Sequence, residues 1–398
     1  MKLQVGSHVL PLGFKASGMS AYIKRNGQPD MALFYSQAPC VSAAFLTVNS
    51  VKAAPVHICL KHSKYKNQRA IVVNSGNANA MTGPKGEHDA LQMAQLVAKG
   101  LALSVQEVFV SSTGVIGRLL PMDKIKSAIP FLIDALSENG LSDAASAILT
   151  TDTFAKKVTA RFKIGAKDVT ITGLTKGAGM IAPHVKSATM LAYIFTDIKI
   201  SKALLNRTAR QAMELSFNAI TIDGCMSTND TVIVMANGLA ENSVVRTGSK
   251  EEKIFAQALR QVCLELAKMI VVDAEGATKF IKINVGGART FAQAKKFAFA
   301  VANSMLFKCA MFGENPNWGR IASALGSVPV KFCWEKIDIY LNRKPVFKNG
   351  KPVVLQDKKL LKAKDVFVDI NLKSGKQEAS VLTCDLSYDY VKINAEYN

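Results

Sequence analysis

The sequence predicts an α/β protein built in layers, with a smaller strand-rich unit toward its C-terminal end. Three observations carry this expectation. Apolar runs of strand length alternate with amphipathic helical stretches up to about residue 325, the pattern of a sheet covered by helices. Beyond that point the texture changes to short strands separated by turn signals. The chain of 398 residues, 49% hydrophobic and 20% charged, is long and apolar enough for two domains or one large layered domain.

Taken in order, "RAIVVNSGNANA" (69–80) reads as a buried strand running into a Ser/Gly/Asn loop. Residues 87–103 place Leu91, Ala94, Val97 and Leu101 at helical spacing. "EVFVSSTGVIG" (107–117) repeats the strand-to-loop pattern, so two loops with free backbone N–H groups are expected after two buried strands. Pro121 then stands where a helix can begin. Residues 202–220 and 251–270 are long helical patterns flanking the strand "DTVIVMA" (230–236), and 290–312 reads as one helix with a wide apolar face. Farther on come "KIDIYL", two strands around an Asn349-Gly350 turn, and "DVFVDINLKSGKQEASVLTCDL" as a hairpin around Ser374-Gly375. The chain shows no internal repeat, low-complexity stretch or long linker.

Composition excludes several classes. The strongest apolar runs, Met190 to Phe195 and Phe297 to Ala302, fall far short of the roughly 20 residues of a membrane span. His8 and Pro11 interrupt any secretory core at the N-terminus, so a cytoplasmic protein is expected. Seven scattered cysteines, an odd number with no C-x-x-C pair, read as buried free thiols rather than a disulfide framework. The five histidines show no metal-ligand spacing, and no metal is expected. The net charge of +20 attracts anions. Its basic residues come in short groups without interleaved aromatics, the texture of solvated surface, and nucleic acid is not expected as a partner.

The stretch "KGAGMIAPHVKSATMLAYIF" (176–195) raises a chemical question. If the bond before Thr189 is broken, the new α-amino group, with an ordinary pKa of about 7.7–8.0, becomes a base beside a hydroxyl nucleophile. Small Ala188 and the glycines of "KGAGM" would let that hydroxyl reach the preceding carbonyl. An oxyanion hole is also needed, and Thr113 with Gly114 in "SSTGVIG" could supply a hydroxyl and a close backbone approach. From composition alone, a glycine-rich stretch before a strand is more often simply a turn.

A set of motifs spread over the whole chain adds to this reading. "VNSGNANAMTG" (73–83), "STGVIGRLLPMDKI" (112–125), "TTDTFAK" (150–156), "KGAGMIAP" with "ATML" (176–191), "STNDTV" (227–232), "DAEGATK" (273–279), "GENPNWGR" (313–320) and "INAEY" (393–397) together resemble the ornithine acetyltransferase, or glutamate N-acetyltransferase, family. The resemblance implies a layered α/β sandwich of the self-processing aminopeptidase type with a smaller α/β C-terminal domain. It implies self-cleavage at Ala188-Thr189, giving an alpha chain 1–188 and a beta chain 189–398 that includes the smaller domain from about 282–398. Thr189 is then the nucleophile, Thr113 and Gly114 the oxyanion hole, and Thr150, Lys176, Thr189, Glu275 and Asn394 the substrate contacts. Acetyl would pass from N-acetylornithine to glutamate by a ping-pong route in arginine biosynthesis, with no cofactor, in a heterotetramer of alpha and beta chains. Acetyl-CoA is an open alternative donor.

Two departures stand out. The family pattern reads "GMIAPNMATML", whereas this chain has two additional residues and a lysine in "GMIAPHVKSATML". The family also carries a Ser or Thr after the Asn-x-x-Tyr stretch, and none follows Asn398, so that contact is expected to be missing or replaced. Trp318 is expected to anchor packing and Asn229-Asp230 to turn the chain before a strand. The rival readings are an amidohydrolase or aminopeptidase on the same scaffold, and an acetyltransferase acting on a different amino acid.

Overall fold

Period-two alternation writes the first sheet. In Met31–Phe34 the residues Met31 and Leu33 point into one core and Ala32 and Phe34 into another, so the strand is covered on both faces. The computed structural model describes residues 1–24, 26–182, 190–354 and 359–396, and these form two units. The larger comprises Met1–Gly177, Pro183–Asn218 and Met226–Ile270; the smaller comprises Ala178–Ala182, Ala219–Cys225 and Val271–Asn398.

The larger unit holds β1 (Lys2–Val5), β2 (Phe14–Met19), β3 (Met31–Leu46), α1 (Ala54–His62), β4 (Gln68–Asn77), α2 (Gly83–Gly100), β5 (Val108–Val115), α3 (Met122–Asp134), α4 (Leu141–Ala147), β6 (Lys156–Ile164), β7 (Lys167–Lys176), β8 (Leu191–Thr196), α5 (Lys202–Glu214), β9 (Thr231–Ala236) and nearly all of α6 (Lys250–Val272). Its nine strands run in the order β1-β6-β7-β8-β9-β3-β4-β5, with β2 also paired to β3. The long strand β3 bends where its register shifts between Tyr35 and Cys40, pairing β4 with its first half and β9 with its second. β8 lies in the middle of the order, all six residues buried, antiparallel to β7 and parallel to β9. One face packs an aromatic group in which Phe34 lies 5.3 Å from Tyr193 and 5.2 Å from Phe195 between ring centroids. Over β3, β4 and β5 the other face takes α2 and α3 through Met93, Val97, Ile125 and Ile129.

The smaller unit contains β10 (Phe280–Ala288), α7 (Phe291–Ala302), α8 (Met305–Phe312), α9 (Trp318–Gly326), β11 (Asp338–Leu341), β12 (Lys344–Lys348), β13 (Lys351–Pro352), β14 (Asp365–Asn371), β15 (Gln377–Cys384) and α10 (Tyr388–Glu396). Its sheet order is β13-β12-β11-β14-β10-β15. The layered α/β expectation is met in both units. Trp318 packs against Phe347 at 4.8 Å, as an anchor should, and Asn349 and Gly350 have φ of 50° and 73°, the left-handed pair that a tight hairpin turn requires.

Four expectations are corrected. Residues 290–312 form two helices rather than one, because the Ser304 hydroxyl accepts from Phe307 N–H and caps a new start. β14 and β15 do not pair with each other: β10 inserts between them, parallel to β14 and antiparallel to β15. Thr113 and Gly114 belong to β5 rather than to a loop, since parallel pairing with β4 continues through Ser75↔Thr113 and Gly76↔Gly114. All seven cysteines are free, but Cys225, Cys309 and Cys333 are exposed. Among the described residues no helix is long and apolar enough to cross a membrane.

Candidate active site

Strand ends need substitutes for the ladder partners they lose, and the asparagines of "VNSGNAN" supply them. Asn74 donates to the Asn77 carbonyl at 2.8 Å and accepts from the Ser112 hydroxyl at 2.6 Å. Asn77 donates to the Leu119 carbonyl at 2.9 Å and accepts from Asn79 N–H at 2.8 Å. From the "STND" stretch, buried Asn229 donates to the carbonyls of Ala78 (2.6 Å) and Ser112 (2.9 Å). Asn229 thus does more than turn the chain: it ties the ends of β4 and β5 together directly beside Thr113. Gly114 has φ of 133°, and a Cβ there would meet the Gly76 carbonyl carbon at 2.3 Å, so the close strand approach requires glycine.

Ser75, the register partner of Thr113, carries this platform to the next group: its hydroxyl donates to the Ala147 carbonyl at 2.6 Å, at the end of α4. Three residues later comes Thr150, half-buried. Lys176, the last residue of β7, donates from Nζ to Thr150 Oγ1 at 2.6 Å. That hydroxyl, accepting from an ammonium, keeps its own proton to donate elsewhere.

Asp152, which the sequence reading passed over, sits under this pair. Its side chain is fully buried. Oδ1 accepts from Lys156 Nζ at 2.7 Å and from Gly177 N–H at 2.6 Å; Oδ2 accepts from Thr150 N–H at 3.1 Å and lies 3.7 Å from Lys176 Nζ. Burial pushes its carboxyl upward, but Lys176, Lys156 and the Gly177 amide outweigh it and hold the group well below the usual carboxylate range. Lys24 belongs to the same electrostatic neighbourhood: burial lowers its pKa, Asp30 opposes that, and Lys176 lowers it further.

Lys176 pairs with Leu191 across β7 and β8, so the chain between them is the connection of two hydrogen-bonded strands. Ala188 and Thr189 fall in that connection and lie outside the described residues; Thr189 stands two positions before Leu191.

In the smaller unit, Asn394 on α10 donates to Glu275 Oε2 at 2.9 Å and to the Tyr390 carbonyl at 3.0 Å. Gly179 makes room for Glu275, since a Cβ at that position would come within 2.3 Å of its carboxylate. Asp223 accepts from the N–H groups of Met180 (2.6 Å), Ile181 (3.0 Å) and Cys225 (3.0 Å) and from the Tyr390 hydroxyl at 3.4 Å. It too was missed, although "TIDG" before "STND" offered an acid beside a turn glycine. The structure therefore joins Thr150 to Lys176, connects Thr113 to their loop through Ser75, and separately joins Glu275 to Asn394.

Known proteins resemble this chain closely. A model of the ArgJ family matches residues 15–398. The arginine biosynthesis bifunctional protein ArgJ of Caldanaerobacter subterraneus subsp. tengcongensis is 46% identical over 404 residues, covering 100% of both chains. The protein of the same name from Geobacter sulfurreducens is 46% identical, over 97% of this chain and 98% of its own. The crystal structure of Bacillus halodurans ArgJ matches with a TM-score of 0.50 and 37% identity, over 52% of this chain and 98% of that one. With a family match over nearly the whole length and full-length relatives at this identity, the chain belongs to the ArgJ family.

Proposed function

We propose that the chain cleaves itself before Thr189 and uses the new N-terminal threonine to move acetyl from N-acetylornithine to glutamate. In maturation, Thr189 Oγ attacks the Ala188 carbonyl, the peptide nitrogen leaves as an amine, and water hydrolyses the resulting ester. In turnover, that amine takes the hydroxyl proton as Oγ attacks the acetyl carbonyl of N-acetylornithine. The C–N bond then breaks, the proton passes to the departing ornithine, and the acetyl group remains as an ester on Thr189. Glutamate's amine attacks this ester, forming N-acetylglutamate and restoring the hydroxyl. Thr113 and Gly114 stabilise the oxyanion in each addition, Lys176 and Thr150 take the α-carboxylate that donor and acceptor share, and Glu275, oriented by Asn394, meets the side-chain ammonium of ornithine. The domain reading, an alpha chain 1–188 and a beta chain 189–398, belongs to the same proposal.

The hydrogen bond from Lys176 to Thr150 supports this reading most directly. It sets a cation and a hydroxyl donor together at the end of the strand from which the chain runs toward Thr189. A second support is length. The Bacillus halodurans chain is matched over 98% of itself yet spans 52% of this one, close to the share of a product of 210 residues in 398.

The test is mass spectrometry after incubation with N-acetylornithine. An added acetyl on the fragment beginning at Thr189, transferable to labelled glutamate, is the expected result. Denaturing electrophoresis should show two bands near half of 42.9 kDa, and Thr189→Ala a single inactive one. An active protein that stays unbroken overturns the proposal, and free acetate in place of N-acetylglutamate makes the chain a hydrolase.

A further inference from the structure

Burying ions costs several kcal/mol each unless they are paired, and a buried ion pair is weak evidence for stability as such. The Lys156–Asp152–Lys176 set therefore calls for a reason. Lys156 and Asp152 are fully buried at their side chains and Lys176 is 9% exposed. The geometry is uneven in an informative way. Lys156 takes Asp152 in a direct hydrogen bond at 2.7 Å, while Lys176 faces the same carboxylate at 3.7 Å, beyond hydrogen-bond reach. Of the two lysines, Lys156 alone hydrogen-bonds Asp152, while Lys176 acts on it through charge. Lys176 keeps a counter-charge close enough to tolerate burial, without spending its N–H donors on that carboxylate.

The same carboxylate fixes the backbone on both sides of the pair. Oδ2 holds Thr150 N–H and Oδ1 holds Gly177 N–H. One side chain therefore positions the residue that carries the hydroxyl, the ammonium that meets it, and the first residue after β7. We infer that Asp152, itself held by Lys156, is the positioning residue for recognition of the substrate α-carboxylate, acting through Lys176 and Thr150. This inference rests on the acetyl-transfer reading above and assigns that reading a residue outside its set of substrate contacts.

The test is a double-mutant cycle on the full-length chain with Asp152→Asn and Lys176→Met, measuring acetyl transfer from N-acetylornithine to glutamate. D152N should lower kcat/KM by about 10- to 100-fold, the range of a lost hydrogen bond to a charged group, chiefly through KM for both substrates. In the K176M background the same change should cost less than about threefold, because its target is already gone. Lys156→Gln should raise KM in the same direction by freeing Asp152 to close on Lys176. Additive losses, or wild-type kinetics in D152N, overturn the inference. A D152N chain that remains uncleaved overturns it as well, by placing Asp152 in maturation. Should D152N not fold, Asp152→Glu takes its place in the cycle, since it keeps the charge and displaces it by one methylene; its loss should likewise vanish beside K176M. A wild type that transfers nothing fails the acetyl-transfer reading instead, and the cycle is then decided on the dissociation constant for glutamate by calorimetry.

Discussion

At the candidate site residues the two units hold their carboxylates by opposite means. In the larger, one carboxylate lies between two lysines, and the backbone around it is knitted by Asn74, Asn77 and Asn229. In the smaller, Asp223 takes three amides and a phenol while Glu275 takes the Asn394 amide, all neutral donors. Two glycines show what the difference means. A Cβ on Gly114 would strike main chain, the Gly76 carbonyl carbon at 2.3 Å and Asn77 N at 2.5 Å, whereas a Cβ on Gly179 would meet first the carboxylate end of Glu275. Main chain in a paired strand cannot step aside; a side-chain end can. Gly114→Val should accordingly do more than crowd an oxyanion pocket. With φ of 133° as well, it should cost about 3 kcal/mol or more, seen as a large fall in the denaturation midpoint together with lost acetyl transfer. A normal midpoint would break the contrast at its strongest point.

Next in size is the pH dependence of the larger unit's charges. Because the folded state holds Asp152 below the usual carboxylate range, its contribution is present above the unfolded pKa of about 4 and is lost as pH falls through the lower folded value. Asp152→Asn removes one partner of a buried set, a loss of roughly 3–5 kcal/mol at neutral pH. The stability gap between wild type and D152N should therefore narrow steadily below about pH 4. A gap that stays constant from pH 7 to pH 3 would mean that the carboxylate charge contributes nothing there.

How much of this could be read in advance follows the same division. Strands with a β-branched apolar run, such as β4, β5, β8 and β9, announced themselves because both faces are buried. The pairing of β14 and β15 did not: a turn signal at Ser374-Gly375 is local, while insertion of β10 between the two strands depends on residues 280–288 far back in the chain. The split of 290–312 turned on one serine hydroxyl capping α8. Thr150, Lys176, Glu275 and Asn394 were found through motif resemblance, and the structure explains the pairs they form. Asp152 and Asp223 were passed over because their chemistry is toward backbone amides two to dozens of residues away, as in Asp223 with Met180 and Ile181. "TTDTFAK" did hold the signal, an acid four residues before a lysine that opens a strand.

Gly179→Ala probes the smaller unit where the contrast predicts a functional effect with little structural cost. The added methyl must displace the Glu275 carboxylate, so KM for N-acetylornithine should rise by about tenfold, the value of one displaced charge-assisted contact. The denaturation midpoint should stay within about 2 °C of wild type, no more than the shift that about 1 kcal/mol produces in a domain of roughly 150–250 residues. A collapse in stability comparable to that of Gly114→Val would erase the distinction between the two glycines.

The smallest effect is expected at Tyr390. Burial raises its hydroxyl pKa, and Asp223, Cys225 and Glu275 raise it further, so the phenol remains a donor to Asp223 above the ordinary tyrosine range near 10. Its bond is long, 3.4 Å, and Asp223 keeps three amide donors without it. Tyr390→Phe should thus cost less than about 1 kcal/mol and leave transfer within a few-fold. The sign of its pH effect is opposite to that of Asp152. A group raised in the folded state stabilises below its unfolded value, and that contribution is lost as pH rises, so wild type and Y390F should converge above about pH 10. Ultraviolet titration of the folded protein should show two tyrosines ionising late, Tyr390 and Tyr193, whose phenols burial pushes up, and the late transition should lose one tyrosine's amplitude in Y390F. If its amplitude is unchanged, Tyr390 is not among the shielded phenols, and the acidic surroundings of Asp223 and Glu275 weigh less on the smaller unit than its geometry indicates.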